Sequence, residues 1–211
     1  MPDLVIIGAG VAAYQMCRAL VARRLTTTWR VTVIGEELYP PYAREALPGV
    51  LSDGDARRLE LAPVEWYDQH GIRLALNQAV STIDRPHRRV ITAGGDEVVY
   101  DRLVVATGAS PYLPPVIGRD LPGVVSVHSL DDILAVRALV AKAKRIAVLG
   151  GGPLGVALAD RLRHSAEVHL IELASGLCLR QFDLVSAGIL RQRAEGAGIT
   201  VYTGRQVLAI V

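Results

Sequence analysis

Six small residues carry the first chemistry legible in this chain. Gly8, Gly10 and Ala13 stand in the order G-x-G-x-x-A, and Gly150, Gly152 and Gly155 in the order G-x-G-x-x-G, about 140 residues further on. In such a motif the first glycine permits a tight turn and the second lets backbone approach a pyrophosphate, while the third small residue seats a helix against a strand. The free N–H groups at the helix start, together with the positive end of its dipole, suit a phosphate. With Ala9, Val11 and Ala12 between its small residues, the first triplet is a candidate binding loop. Carboxylates complete both patterns. Glu36 follows Gly8 by 28 residues and Glu172 follows Gly150 by 22, where an acid ending the next strand grips ribose hydroxyls. A lone glycine triplet is equally a plain strand-to-helix turn; a strand before, a helix after and an acid beyond each copy point to dinucleotide binding, and two copies imply two cofactors. Glu172 repels a 2′-phosphate and so favours NAD over NADP, an effect that Arg180 downstream would soften.

Other chemistry finds no constellation. Cys17 and Cys178 are far apart and each alone, so neither a disulfide framework nor a cysteine metal site follows, and a reducing compartment fits. His70, His87, His128, His164 and His169 have no metal-ligand spacing, and no serine nucleophile elbow is present. Asp131 and Asp132 are adjacent, so on a helix they point apart and read as capping rather than as paired catalytic carboxylates. Trp66 and Tyr67 read as packing. Lys and Arg number 23 against 21 Asp and Glu, which leaves no basic stripe for nucleic acid or an anionic membrane. Asp3 stands where a signal peptide wants positive charge, and glycines break the first apolar run well short of a membrane span. The expected location is cytoplasmic.

The elements that must position the two turns follow from periodicity. In "DLVIIGAGVAAYQMCRALVARR" a short β-branched run leads through the glycines into apolar residues at helical spacing, and "WRVTVIGEE" supplies the next buried strand, a βαβ unit with parallel pairing. "PVEWYDQHGI" reads as a short helix closed by Gly71. "AVSTID", "RRVITA" and "EVVYDRLVVAT" read as a β-meander inserted in the α/β sheet. "GASPYLPPVIGRDLPG" marks a boundary near residues 109–123. "SLDDILAVRALVAKA" opens with Ser129 as N-cap and Asp132 three residues on, a carboxylate variant of the capping box. "KRIAVLGGGPLGVALADRLRHSAEVHLIE" then repeats strand, turn, helix and strand, and "DLVSAGILRQRAEGAGITVYTG" adds another helix feeding another strand. At 211 residues, 51% of them hydrophobic, the chain can bury one substantial core or two small ones. The fold class is therefore α/β: two Rossmann-like dinucleotide-binding lobes, three-layered (β/β/α), over residues 1–115 and 116–211.

These motifs together resemble the pyridine nucleotide-disulfide oxidoreductase superfamily, whose first site holds FAD and whose second holds NAD(P)H. Ala106, Thr107 and Gly108 in "YDRLVVATGASPYLPP" match its ATG segment beside the flavin, and Val80 matches the position whose backbone meets the adenine. Tyr42, Arg44 and Leu47 match a stretch lying against the flavin, with Arg44 the implied contact. "EELYPPYAREAL", "WYDQHGI", "PPVIGRDLPGV", "RIAVLGGGPLG" and "LCLRQFD" follow one another as in the flavin-containing front part of NAD(P)H-dependent nitrite reductase large subunits, a pattern shared with rubredoxin and ferredoxin reductases. The resemblance implies an FAD-dependent NAD(P)H oxidoreductase, with NADH favoured, in which hydride passes from the second site to the flavin and single electrons then leave for an iron–sulfur or haem-type acceptor on another domain or protein.

Three departures accompany it. Glu45, Ala46 and Pro48 occupy the region where disulfide reductases keep their cysteine pair, so a thiol relay is missing. Val156 and Ala157 follow Gly155 where the family usually has a glutamate two residues on. The sequence also stops at Val211, before the rest of the NAD lobe and the family's returning FAD segment, so the expectation is a second lobe left incomplete and an FAD site completed by more chain or by a second chain. The rival expectation is a non-catalytic or partner-completed nucleotide-binding module.

Overall fold

The computed structural model describes residues 1–211, the side chain of Asp53 excepted. In chain order the elements are β1 (Asp3–Ile7), α1 (Val11–Ala22), β2 (Arg30–Ile34), α2 (Val50–Asp53), α3 (Val64–Gln69), β3 (Ile72–Ala75), β4 (Val80–Asp84), β5 (Arg89–Thr92), β6 (Glu97–Val99), β7 (Arg102–Val105), α4 (Leu130–Val140), β8 (Arg145–Leu149), α5 (Pro153–Leu162), β9 (Glu167–Ile171), α6 (Leu184–Gly196) and β10 (Thr200–Tyr202). They fall into two compact units: residues 1–43 with 57–110, and residues 44–56 with 111–211.

The first unit is built on a parallel sheet in the order β3-β2-β1-β7. Its central strand explains why "LVII" carries no polar residue: both faces are covered. Leu4 and Ile6 point into a cluster with Ala13 and Cys17 of α1 and Tyr67 of α3. Val5 and Ile7 point the other way and meet Ile34 and Val90, beneath the antiparallel meander β4-β5-β6. Helices, sheet and meander make the three expected layers. One expected strand divides: β6 stays in the meander, while β7 joins the parallel sheet. The break at Tyr100 and Asp101 is fixed by bonds in two directions, the Tyr100 N–H to the Arg88 carbonyl and the Asp101 N–H to the Asp3 carbonyl. From β1 the chain goes to β2 on one side and later to β7 on the other, so the strand order reverses between β1 and β7, and in open α/β sheets ligands bind at the carboxyl ends of the strands at such a point.

The second unit carries the parallel sheet β10-β9-β8. Helix α5 packs on β8 and β9 and α6 on β10, burying Val168, Leu170 and Val201 from the sheet and Leu158, Ala159, Leu162, Ala187 and Ala194 from the helices. The predicted capping box of α4 is present. The Asp132 N–H donates to the Ser129 hydroxyl at 3.2 Å, and the Asp132 carboxylate accepts the Ser129 and His128 N–H groups at 2.8 and 2.9 Å. Burial is the largest single influence and would raise the Asp132 carboxyl, but the Ser129 and His128 backbone donors, with the Ser129 side chain and the nearby His128 ring, together hold it below its ordinary value. No helix is long and apolar enough to cross a membrane among the described residues.

Two outcomes follow. The Tyr67 hydroxyl is buried with no hydrogen-bond partner among the described residues, so Tyr67→Phe removes an orphaned polar group and should raise unfolding stability in urea by about 1 kcal/mol. A folded-state pKa lowered at Asp132 gives stability that is present above the ordinary carboxylate range, near pH 4, and lost as pH falls through the lowered value. Asp132→Asn should therefore lower the melting temperature at pH 7, and the gap to the unmodified chain should close in acid.

Candidate functional site

Each glycine turn starts where a parallel strand ends. In the first unit the Gly8 N–H donates to the Ile34 carbonyl at 2.8 Å and the Ala106 N–H to the Ile7 carbonyl at 2.7 Å, so the turn is stitched to both neighbouring strand ends. Gly8 has φ +101°, and a Cβ there would run into the Ala106 carbonyl, which makes glycine obligatory. Gly10, the N-cap of α1, has nothing within 4 Å of where its Cβ would stand, so its backbone is bare. Val11 and Ala12 lie exposed in the first helical turn, and Ala13 is buried against the sheet. The first cradle is open and can accept a pyrophosphate.

The rim around it gathers the remaining predicted residues of this unit. Glu36 is exposed just beyond β2 and makes no side-chain hydrogen bond among the described residues, whereas its neighbour Glu37 accepts the Tyr42 hydroxyl at 2.6 Å. Val80 opens β4, two residues after Gln78, whose N–H donates to the Gly35 carbonyl at 2.8 Å. Ala106, Thr107 and Gly108 continue β7 past the turn, with Thr107 and Gly108 exposed. Arg44 lies in the segment that clusters with the second unit and donates to the His128 carbonyl at 2.5 Å, beside the capped start of α4.

In the second unit the Gly150 N–H donates to the Ile171 carbonyl at 2.8 Å, repeating the Gly8 stitch. Gly150 has φ +109°, and Gly152, the N-cap of α5, is as bare as Gly10. A Cβ on Gly155 would collide with the Gly150 carbonyl, which is the close helix–strand seat that its position in the motif requires. Pro153 opens α5 at N1, where its missing N–H costs the helix nothing. Glu172 is half-buried, and its carboxylate accepts the Gly151 N–H at 2.5 Å and the Ala174 N–H at 2.6 Å.

The two acids are not equivalent. Ile7 pairs with Ile34 and Leu149 with Ile171, so the strand-end position held by Glu172 belongs in the first unit to Gly35, and Glu36 sits one residue later. A Cβ on Gly35 would stand 2.5 Å from the Ala9 Cβ; in the second unit the small residue is instead on the turn, at Gly151. Setting "VTVI" over "VHLI" would have shown this from the sequence. Gly35, Gly151 and the amides of Ala174 and Cys178 belong to the local structure of the two turns, and counting from the glycines missed them.

Neither thiol is set up for redox work. Burial pushes Cys17 up to about 11, and Cys178 is raised by burial and by the nearby Glu172 charge. Both are free, and no three His, Cys, Asp or Glu side chains could hold a metal among the described residues.

The sequence profile of the pyridine nucleotide-disulphide oxidoreductase family matches residues 2–211, and the chain belongs to that family, whose members are FAD-dependent NAD(P)H oxidoreductases. It is 36% identical to the nitrite reductase [NAD(P)H] large subunit of Klebsiella oxytoca across its full length, spanning 22% of that subunit. A probable ferredoxin reductase, CtmF, of Castellaniella defragrans is 32% identical over 98% of this chain and 51% of its own length. Among solved structures, the ferredoxin reductase for the CYP199A2 system of Rhodopseudomonas palustris superposes with a TM-score of 0.92 at 28% identity, covering all of this chain and 52% of its own. The chain thus spans between about a fifth and a half of these relatives.

The geometry separates folding from binding. Gly10→Ala and Gly152→Ala meet open space and should leave unfolding stability within about 1 kcal/mol of the parent, while each weakens one dinucleotide in equilibrium titrations. Gly8→Ala, with its Cβ against Ala106 at a positive φ, should lower stability by several kcal/mol in the same urea measurement.

Proposed function

We propose that this chain is the dinucleotide-handling part of an FAD-dependent NAD(P)H oxidoreductase, with FAD held by residues 1–115 and NADH by residues 116–211. The observation that carries this reading is the pair of bare glycine N-caps, Gly10 and Gly152, each behind a strand end and each followed by an acid. In the first lobe Gly8, Ala9, Gly10, Val11 and Ala12 present backbone to the pyrophosphate, Ala13 seats the helix and Glu36 accepts the ribose hydroxyls. The Val80 backbone borders the adenine, and Ala106, Thr107 and Gly108 border the flavin. In the second, Gly150, Gly152 and Gly155 form the cradle and Glu172 accepts ribose hydroxyls while repelling a 2′-phosphate, which favours NADH.

Bound FAD supplies hydride acceptance and the release of single electrons, chemistry for which the chain has no side-chain equivalent. The protein's own part is to bind, orient and separate the two cofactors. With both thiols buried and unpaired, electrons leave toward an iron–sulfur or haem-type acceptor on another domain or protein, and the nitrite reductase and ferredoxin reductase relatives support that class of acceptor. Nitrite is the terminal substrate we favour, and the unpaired thiols support a cytoplasmic setting.

The purified chain should be yellow, or become so with added FAD, and NADH under nitrogen should bleach the flavin absorbance more readily than NADPH. A chain that stays colourless after reconstitution yet binds NADH would be a nucleotide-binding module instead.

A further inference from the structure

We propose that Glu172 holds the second glycine turn in shape as well as reading the ribose, so that neutralising it cannot convert the site to accept a 2′-phosphate. The proposal rests on the reading of that turn as the NADH site. Gly151, the buried middle residue of the turn, has its peptide gripped at both ends: its N–H donates to the Glu172 carboxylate at 2.5 Å, and its carbonyl accepts the Cys178 N–H at 2.8 Å. The second Glu172 oxygen accepts the Ala174 N–H at 2.6 Å. The carboxylate therefore ties the turn to the loop that follows β9. The fit is close, since a Cβ on Gly151 would stand 2.5 Å from Leu177 and 2.9 Å from the Glu172 Cβ. A carboxylate accepts about four hydrogen bonds, so two acceptor positions remain for ribose hydroxyls.

The first unit has no such tie. Gly35 occupies the matching strand-end position, and Glu36, one residue on, makes no side-chain hydrogen bond to an amide among the described residues. Glu36 is a reader alone; Glu172 is a reader and a positioning residue. Glutamine at 172 keeps one acceptor oxygen but turns an NH2 donor toward the other amide, so one bond is replaced by a donor facing a donor.

The test measures NADH and NADPH dissociation constants for the full chain and for Glu172→Gln. The expected result is a loss of NADH affinity of about tenfold or more with no gain for NADPH. A variant that binds NADPH more tightly than the parent, with NADH weakened less than that, overturns the proposal. A parent chain that binds neither nucleotide overturns the NADH-site reading instead. The tie is then judged on the ligand-free parent by NMR: the Gly151 and Ala174 amides should exchange slowly and shift together as acid titrates one carboxylate. Fast exchange of both, or shifts that move independently, would overturn it even if the variant failed to fold.

Discussion

The structure depends on close backbone approach at the two glycine turns, each of which has a position where no Cβ fits. At Gly8 the obstacle is the Ala106 carbonyl from the neighbouring strand, and at Gly155 it is the Gly150 carbonyl from the turn itself. Each turn brings a helix start up to the end of a parallel strand, and a helix start carries unbonded amides. The layering serves the same end. β1 can run straight into the turn because its two faces are filled, by Ala13, Cys17 and Tyr67 on one side and by Val90 under the meander on the other.

The two units reach this geometry by different local routes. Where strand end and turn come nearest, one partner must be small: Gly35 in the first unit, facing Ala9, and Gly151 in the second, facing Glu172. Placing the glycine on the turn frees the strand end to carry a side chain, and that side chain folds back onto the turn. A shared topology thus leaves one acid free in solvent and the other bonded to two amides.

Much of this was legible in the sequence. The strand–turn–helix–strand repeat, the meander and the Ser129 cap all follow from local periodicity and capping chemistry, where tertiary context does not compete. The acids were harder. Of the six residues separating the spacings of 28 and 22, two lie in the longer helix α1, three in its longer connection to β2, and one in the position of the acid itself. Only strand register isolates that last residue, because a shift of one sends a side chain to the opposite face. The contact between Arg44 and His128 was not legible either: the guanidinium donates to a backbone carbonyl 84 residues away. The same long-range packing gathers residues 44–56, which follow β2 in the chain, with the second unit.

Glu45, Ala46 and Pro48 stand where disulfide reductases keep a cysteine pair, and under the proposed function electrons leave by another route. What remains is a frame with one cradle per unit, and occupancy tests it most directly. Native mass spectrometry of the chain mixed with FAD and NAD⁺ should show a single dominant species carrying one of each. A species with only one nucleotide at saturation, or FAD and NAD⁺ displacing each other, would contradict the account.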